Sequence, residues 1–355
     1  MKIVTVIGNR PQFVKAAAVS GPLRAAHEEV LVHTGQHYDD ELSTIFVTEL
    51  GVPRPEVQLG LGGGSNTEQT SRMLAALGEV LRHEAPDAVL VYGDTNSTLA
   101  GALAAAQLQI PLAHVEAGMR SFDRAMAEEV NRLLTDQLSD LLLAPSQTAA
   151  ANLEREGVAG EVEVVGDVMV DVAALASPRA FADEAPLTAA GVTAYEYLLV
   201  TAHRAGNVDD PTRLGRLVEL LLSLDGPVVL PLHPRTRARL EAAGLLDRLA
   251  AAVTVLPPLG YLAFTSLLTH ARAVLTDSGG VQKEAYLAGV PCVTLRDTTE
   301  WVETVQAGWN TLVDLDASAA REALARPQPA ARPELYGDGH AAQRVVAAIA
   351  RLGAR

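Results

Sequence analysis

The sequence predicts an α/β protein of two doubly wound, Rossmann-like domains facing a central cleft. Three observations predict it. Short runs rich in Val, Leu and Ile recur along the whole chain, and each is followed by a stretch with helical apolar spacing. The runs are continuously apolar rather than alternating, as strands covered on both faces require. The length of 355 residues suits two domains, at roughly 150 residues per domain.

In the first half, strands are expected at 2–8 (KIVTVIG), 29–34 (EVLVHT), 88–92 (AVLVY), 112–116 (LAHVE), 141–145 (LLLAP) and 162–166 (VEVVG). The second half repeats the habit at 197–202 (YLLVTA), 228–232 (VVLPL), 253–256 (VTVL), 273–277 (AVLTD) and 291–295 (PCVTL). Alternating strands and helices mean parallel sheets. The periodicity breaks at 175–194, where Pro, Ala and acidic residues gather, and again at the Pro-rich 326–340. This places one domain at 1–175 and a second at 195–335. The helical spacing of AAQRVVAAIARL makes 340–355 a terminal helix, which could pack on either domain and is expected to join the first.

Composition excludes several classes of function. A 48% hydrophobic content rules out a disordered chain. A single cysteine, Cys292, rules out a disulfide framework and a cysteine-clustered zinc site. The formal net charge of −15 argues against non-specific nucleic-acid binding, which recruits an excess of Lys and Arg. No apolar run approaches the roughly 20 residues of a membrane span, and MKIVTVIG opens no leader pattern. The expected location is the cytoplasm. Only Lys2, Lys15 and Lys283 are lysines, so arginine is the habitual cation.

In parallel sheets of this kind ligands bind beyond the carboxyl ends of the strands, and the polar motifs fall there. The first strand ends in Gly8-Asn9-Arg10-Pro11, and Lys15 follows on the next helix. A helix N-terminus beside Arg10 favours an anion, although a plain strand-to-helix turn accounts for the same residues. The three spaced glycines of a dinucleotide fingerprint are absent here, GLGGG at 60–64 lacks the required sixth position and a preceding strand, and no P-loop occurs. GLGGG reads as a flexible loop before a helix starting near Thr67. Asp94 follows a buried strand and opens a helix, where an Asp commonly caps. Glu116 ends another apolar run, where a charge is expensive unless it is paired or functional. Glu128 lies in an acidic first helical turn, which is ordinary dipole chemistry. Together they place three carboxylates on one rim.

The second half supplies complementary groups: His203-Arg204, His233-Pro234 and Asp277-Ser278-Gly279-Gly280 at strand ends, the last leading to a helix with Lys283 and Glu284. The small residues let a backbone approach an anion held by the helix start. Thr276 stands where a serine-hydrolase elbow requires Gly, which excludes that reading. His33 and His37 lack the glutamate and the helix of a zinc site.

Taken in order, GNRP with Lys15, TGQHYD (34–39), YGDTNST (92–98), HVEAG-x-R (114–120), EEVNR (128–132), VGD (165–167), T-x-HR (201–204), LHP (232–234), TDSGGVQKEA (276–285) and RDTTE (296–300) resemble the non-hydrolysing UDP-N-acetylglucosamine 2-epimerases. The resemblance spans almost the whole chain. It implies a glycosyltransferase B type fold with UDP in the interdomain cleft, and interconversion of UDP-GlcNAc and UDP-ManNAc. The chemistry it implies is anti-elimination of UDP to a 2-acetamidoglucal and re-addition with the proton on the other face. Asp94, Glu116, Glu128 and His203 are then the catalytic groups. Which carboxylate takes the C2 proton stays open. The resemblance assigns Ser278, Gly279 and Gly280 to phosphate, Glu284 to the ribose, Phe264 in the Tyr261–Phe264 turn to the uracil, and Arg10, Lys15, Arg204 and His233 to further substrate contacts. Gln36, Arg204 and His233 resemble parts of an allosteric UDP-GlcNAc site of some relatives. The only partner expected is the UDP-sugar substrate, with no nucleic acid or membrane, no metal and no cofactor. The resemblance also implies a homodimer.

The chain departs from the family pattern at Ala127, where many members have proline, at Gly206, where many have a glutamate close to the histidine, and at Trp301, where several have a substrate-binding arginine. Three other readings stand beside the first. One is a 2-epimerase for a modified sugar such as UDP-2,3-diacetamido-glucuronic acid, another a glycosyltransferase B type UDP-sugar transferase, and the third a nucleotide-sugar sensor.

Overall fold

A computed structural model describes residues 1–36 and 49–352. Two compact units result: Met1–Leu175 with Glu334–Arg355, and Ala176–Pro333.

The first unit is built on a seven-stranded sheet of β1 (Lys2–Ile7), β2 (Glu28–His33), β3 (Val57–Gln58), β4 (Ala88–Tyr92), β5 (Leu112–Val115), β6 (Leu141–Ala144) and β7 (Glu161–Val164). The order is β3-β2-β1-β4-β5-β6-β7 and every pairing is parallel. Parallel neighbours need crossovers, and helices supply them. Alternate residues of the central strands face opposite layers: Val4, Val6, Val89 and Val91 pack with Met73, Leu77 and Leu81 of the helix Asn66–Glu84, while Ile3 and Ile7 are equally buried on the other side. That two-sided burial is why the strands read as unbroken apolar runs.

The second unit repeats the plan with six strands, β8 (Leu198–Thr201), β9 (Val228–Pro231), β10 (Thr254–Leu256), β11 (Ala273–Thr276), β12 (Cys292–Thr294) and β13 (Asn310–Leu312). They are all parallel, in the order β10-β9-β8-β11-β12-β13. Leu198 and Val200 face the helix Pro211–Leu222, whereas Tyr197 and Leu199 face the helix Tyr261–Thr269.

Both sheets reverse their winding at one place, between β1 and β4 in the first unit and between β8 and β11 in the second. These switch points open beyond the carboxyl ends of the strands and are where ligands bind in such sheets.

Two short strands, β3 and β13, have no run long enough to betray them. The stretch 175–194, expected to be irregular, is helical: Val168–Ala182 runs into it and Ala185–Ala190 follows. The reason is an alanine stripe, since Val172, Ala176 and Ala180 recur every fourth residue and are buried. The residues 326–340 form neither helix nor strand. After them the helix Ala341–Leu352 packs on the helix Arg10–Ala26, with its first turn held by Asp171, whose carboxylate accepts from the amides of Ala341 and Ala342 at 3.1 and 2.9 Å. No helix of the described residues is long and apolar enough to cross a membrane.

Candidate functional site

At the switch point of the first unit, the loop after β1 is fixed by its own helix. Asn9 caps the helix Arg10–Ala26, Pro11 fills its first turn, and the Gln12 side chain accepts from Gly8 N at 2.7 Å while donating to the Tyr92 carbonyl at 2.8 Å. The two strand ends are thereby tied together. A Cβ on Gly8 would lie 2.5 Å from Thr34 Oγ1 and closer still to Ser97 Oγ, so only glycine fits. Arg10 opens the helix and is half-buried. One turn further in, buried Lys15 forms an ion pair with Glu116, both lying against the Gly93 turn.

Glu116 follows β5 with φ +71°, a left-handed conformation that a non-glycine residue adopts only where its surroundings enforce it. Asp94 does not cap the helix Asn96–Gln107; Thr95 does, reciprocally with Thr98. Instead the Asp94 carboxylate pairs with Arg132, and its backbone carbonyl accepts from Asn131 Nδ2 at 2.9 Å. Glu128, in the first turn of the helix Ala127–Leu138, is exposed. Its neighbour Glu129 is buried and held by Arg132 at 2.7 Å and by Ser121 N at 2.8 Å. Burial opposes ionisation of Glu129, but these donors outweigh it and hold its carboxyl below the usual glutamate range. The first unit therefore carries Asp94 and Glu116 just beyond neighbouring strands, Arg10 and Lys15 on the helix Arg10–Ala26, and Glu128 on the helix Ala127–Leu138.

At the second switch point the organising group is Asp277. Fully buried, it accepts from the amides of His203 and Arg204, each at 3.0 Å, and from Asn207 Nδ2 at 3.1 Å. His203 Nδ1 lies 3.6 Å from the same carboxylate. Asp277 is thus the carboxylate beside His203, where Gly206 supplies none; a Cβ on Gly206 would meet open space. His233 caps the helix Pro234–Ala242 through Nδ1, which accepts from Arg235 N, and its ring stacks on His203 with centroids 5.4 Å apart.

Ser278 begins the helix Gly279–Ala288 without using its hydroxyl as a cap, and the first-turn amides have no acceptor within the helix. Around Gly279 stand Arg204, Glu300 and the Trp301 indole nitrogen. Arg204 lies 3.7 Å from Glu300, which also holds Arg296 at 3.0 Å. Trp301 is buried with the Lys283 ammonium 4.2 Å from its ring centroid, a cation–π contact. Glu284 is half-buried on the same helix. Phe264 is buried in the apolar layer with Leu187, Leu199 and Leu268.

Gln36 belongs to the first unit, where its side-chain oxygen accepts from the Ser97 amide and hydroxyl at 2.9 and 2.7 Å. His37 and the rest of TGQHYD beyond Gln36 lie outside the described residues. Among the described residues no group of three His, Cys, Asp or Glu side chains could hold a metal ion. The roles of Asn131, Arg132 and Asp277 had no individual signal in sequence, although all three lie within or beside the motifs quoted above.

Comparison with known proteins places the chain among its relatives. A family profile described as UDP-N-acetylglucosamine 2-epimerase matches residues 23–350. A curated Pseudomonas aeruginosa protein, UDP-2,3-diacetamido-2,3-dideoxy-D-glucuronate 2-epimerase, is 48% identical over 364 residues, covering 99% of this chain and 100% of its own. The Methanocaldococcus jannaschii UDP-GlcNAc 2-epimerase, solved in complex with UDP-GlcNAc and UDP, superposes with a TM-score of 0.93 at 39% identity, covering 99% of this chain and 100% of that one. Phytolacca americana UGT2 shares the fold at 12% identity and a TM-score of 0.59, over 99% of this chain and 94% of that one.

Proposed function

The chain belongs to the UDP-N-acetylglucosamine 2-epimerase family and is an isomerase of glycosyltransferase B type fold; from this and the site geometry we propose that it interconverts UDP-GlcNAc and UDP-ManNAc. The observation that carries the reading is the pair of carboxylates at adjacent strand ends, Asp94 after β4 and Glu116 after β5, each held by its own cation. Inverting C2 requires a proton to leave one face and return on the other, hence two acid/base groups. The C2 proton is weakly acidic, so departure of UDP from C1 leads, and carboxylates stabilise the cationic sugar that develops. Exposed Glu128 is the third group. On the second unit, the Ser278–Gly280 helix start and Arg204 receive the diphosphate. His203, backed by Asp277, protonates the leaving phosphate oxygen. Arg10 and Lys15 contact the anion, Lys15 being paired also with Glu116. Glu284 serves the ribose. His233, stacked on His203, binds substrate; Phe264 supports the uracil side from within the core. Allosteric use of Gln36, Arg204 and His233 belongs to the same proposal. So do cytoplasmic residence and a homodimer, for which light scattering is the check.

The Pseudomonas relative favours a second substrate, UDP-2,3-diacetamido-glucuronic acid, in the same reaction. Proton NMR of each UDP-sugar in deuterated water tests both. Exchange of H2 with formation of the 2-epimer is the expected result, and the faster substrate is the assigned one. No exchange in either overturns the epimerase reading. Asp94→Asn and Glu116→Gln are expected to abolish turnover and retain UDP binding; normal turnover in both rejects their roles.

A further inference from the structure

Beneath the two carboxylates lies a charge cluster that the reaction itself does not use. The side chains of His114, Arg120 and Asp136 are all fully buried. His114 sits in β5, two residues before Glu116. Its Nδ1 meets Asp136 Oδ1 at 2.7 Å, and its Nε2 meets the backbone carbonyl of Gly93, the residue before Asp94, at 2.7 Å. The ring thus bridges two separate partners, the Asp136 carboxylate and the Gly93 turn. The other oxygen of Asp136 accepts from Gly118 N at 3.1 Å and from Arg120 at 2.7 Å. Arg120 also reaches Glu156, Nε to Oε1, at 2.9 Å, so one guanidinium joins two carboxylates.

Resting on the proposed reaction, we infer that His114 and Asp136 are positioning residues that set the Asp94 turn and the Glu116 turn against each other. The geometry leaves one carboxylate in charge of both. Through His114 it reaches the Gly93 carbonyl, and Gly93 is held at φ +62° immediately before Asp94. Through the Gly118 amide it fixes the turn in which Glu116 adopts φ +71°. A Cβ on Gly118 would approach the Ala149 carbonyl carbon to 2.8 Å, so this turn has no slack on its far side. A buried charge cluster is a poor way to gain stability, since desolvation offsets most of the attraction. Directional hydrogen bonds to two backbone turns are what an apolar replacement cannot supply.

Asparagine and glutamine separate the two bonds. His114→Asn keeps a donor near the Nδ1 position for Asp136 and loses the Gly93 carbonyl; His114→Gln keeps a donor near Nε2 and loses Asp136. Each is expected to lower turnover by about 10²-fold, the scale of a misplaced catalytic group, while UDP affinity is unchanged. Each is also expected to raise the ratio of free UDP and glucal to epimerised product, because only one proton transfer is misaligned. A loss of native packing lowers activity without changing that ratio. Parent turnover and an unchanged ratio in both variants overturn the inference. Should either variant lack a cooperative thermal transition, Asp136→Asn, which is isosteric, carries the same measurement with the same two outcomes. If the parent protein itself exchanges no H2, the epimerase reading has failed rather than this one.

Discussion

Arg132 links two carboxylates of different character, and its removal separates their energetics. The side chain of Glu129 is 2% exposed and that of Asp94 is 35% exposed. In Arg132→Gln, Glu129 becomes a buried carboxylate without its cation, which costs about 3–5 kcal/mol when one partner of a buried pair is removed. Asp94 is solvated enough to add little to that figure. For a domain of roughly 150–250 residues each kcal/mol moves the melting temperature by about 2–4 °C, so a drop of roughly 6–20 °C is expected at pH 7. The sign of the pH dependence is fixed as well. With Arg132 present the Glu129 carboxyl lies below its usual range. It therefore contributes stability above its unfolded pKa, and this is lost as pH falls. Without Arg132, burial is less opposed, the carboxyl moves up, and the native state takes a proton more readily. The gap between parent and variant therefore narrows as pH falls from 7 towards about 4.5. Differential scanning calorimetry across that range is the assay, and Glu129→Gln in the Arg132→Gln background is expected to recover part of the loss at pH 7. A drop near zero at pH 7, or a gap that widens on acidification, refutes the account of Glu129 as a buried, ionised partner.

Asp277→Ala releases the His203 and Arg204 amides and is expected to reduce turnover by about 10²-fold, with weaker UDP binding by calorimetry; parent values for both reject Asp277 as the organiser of that loop. Gly8→Ala drives a methyl into Thr34 and Ser97, an overpacking worth about 1–3 kcal/mol, and a melting temperature equal to the parent's counts against the close packing of the β1 turn. Burial pushes the Cys292 thiol up to about 12, so a thiol-specific disulfide reagent is expected to react only after denaturation; stoichiometric reaction in the folded protein contradicts this.

The legibility of this chain follows from where its apolar groups lie. Strands buried on both faces write unbroken runs; the edge strands β7 and β10, only partly buried, write weaker ones, and β3 and β13, of two and three residues, write none. The alanine stripe of helix Val168–Ala182 is hard to see in the sequence because methyl groups spaced every fourth residue look featureless beside Val and Leu. The helix Ala127–Leu138 hides more. Its buried face carries Glu129, Arg132 and Asp136, spaced i, i+3, i+7, while Val130 and Leu134 are 39% and 46% exposed. That inverts the usual amphipathic pattern, and a search for apolar periodicity reads the wrong face as the inner one. Single motifs such as YGDTNST and HVEAG point to the carboxylates, because they sit where strands end. What holds those carboxylates comes from residues far apart in the chain, Lys15 for Glu116 and Arg132 for Asp94, and no local spacing encodes such a pairing. The inverted helix is nevertheless a usable signal: charged residues at core spacing are expensive to bury, and here Arg132 pairs with Asp94 while Asp136 is bonded to the turn that carries Glu116.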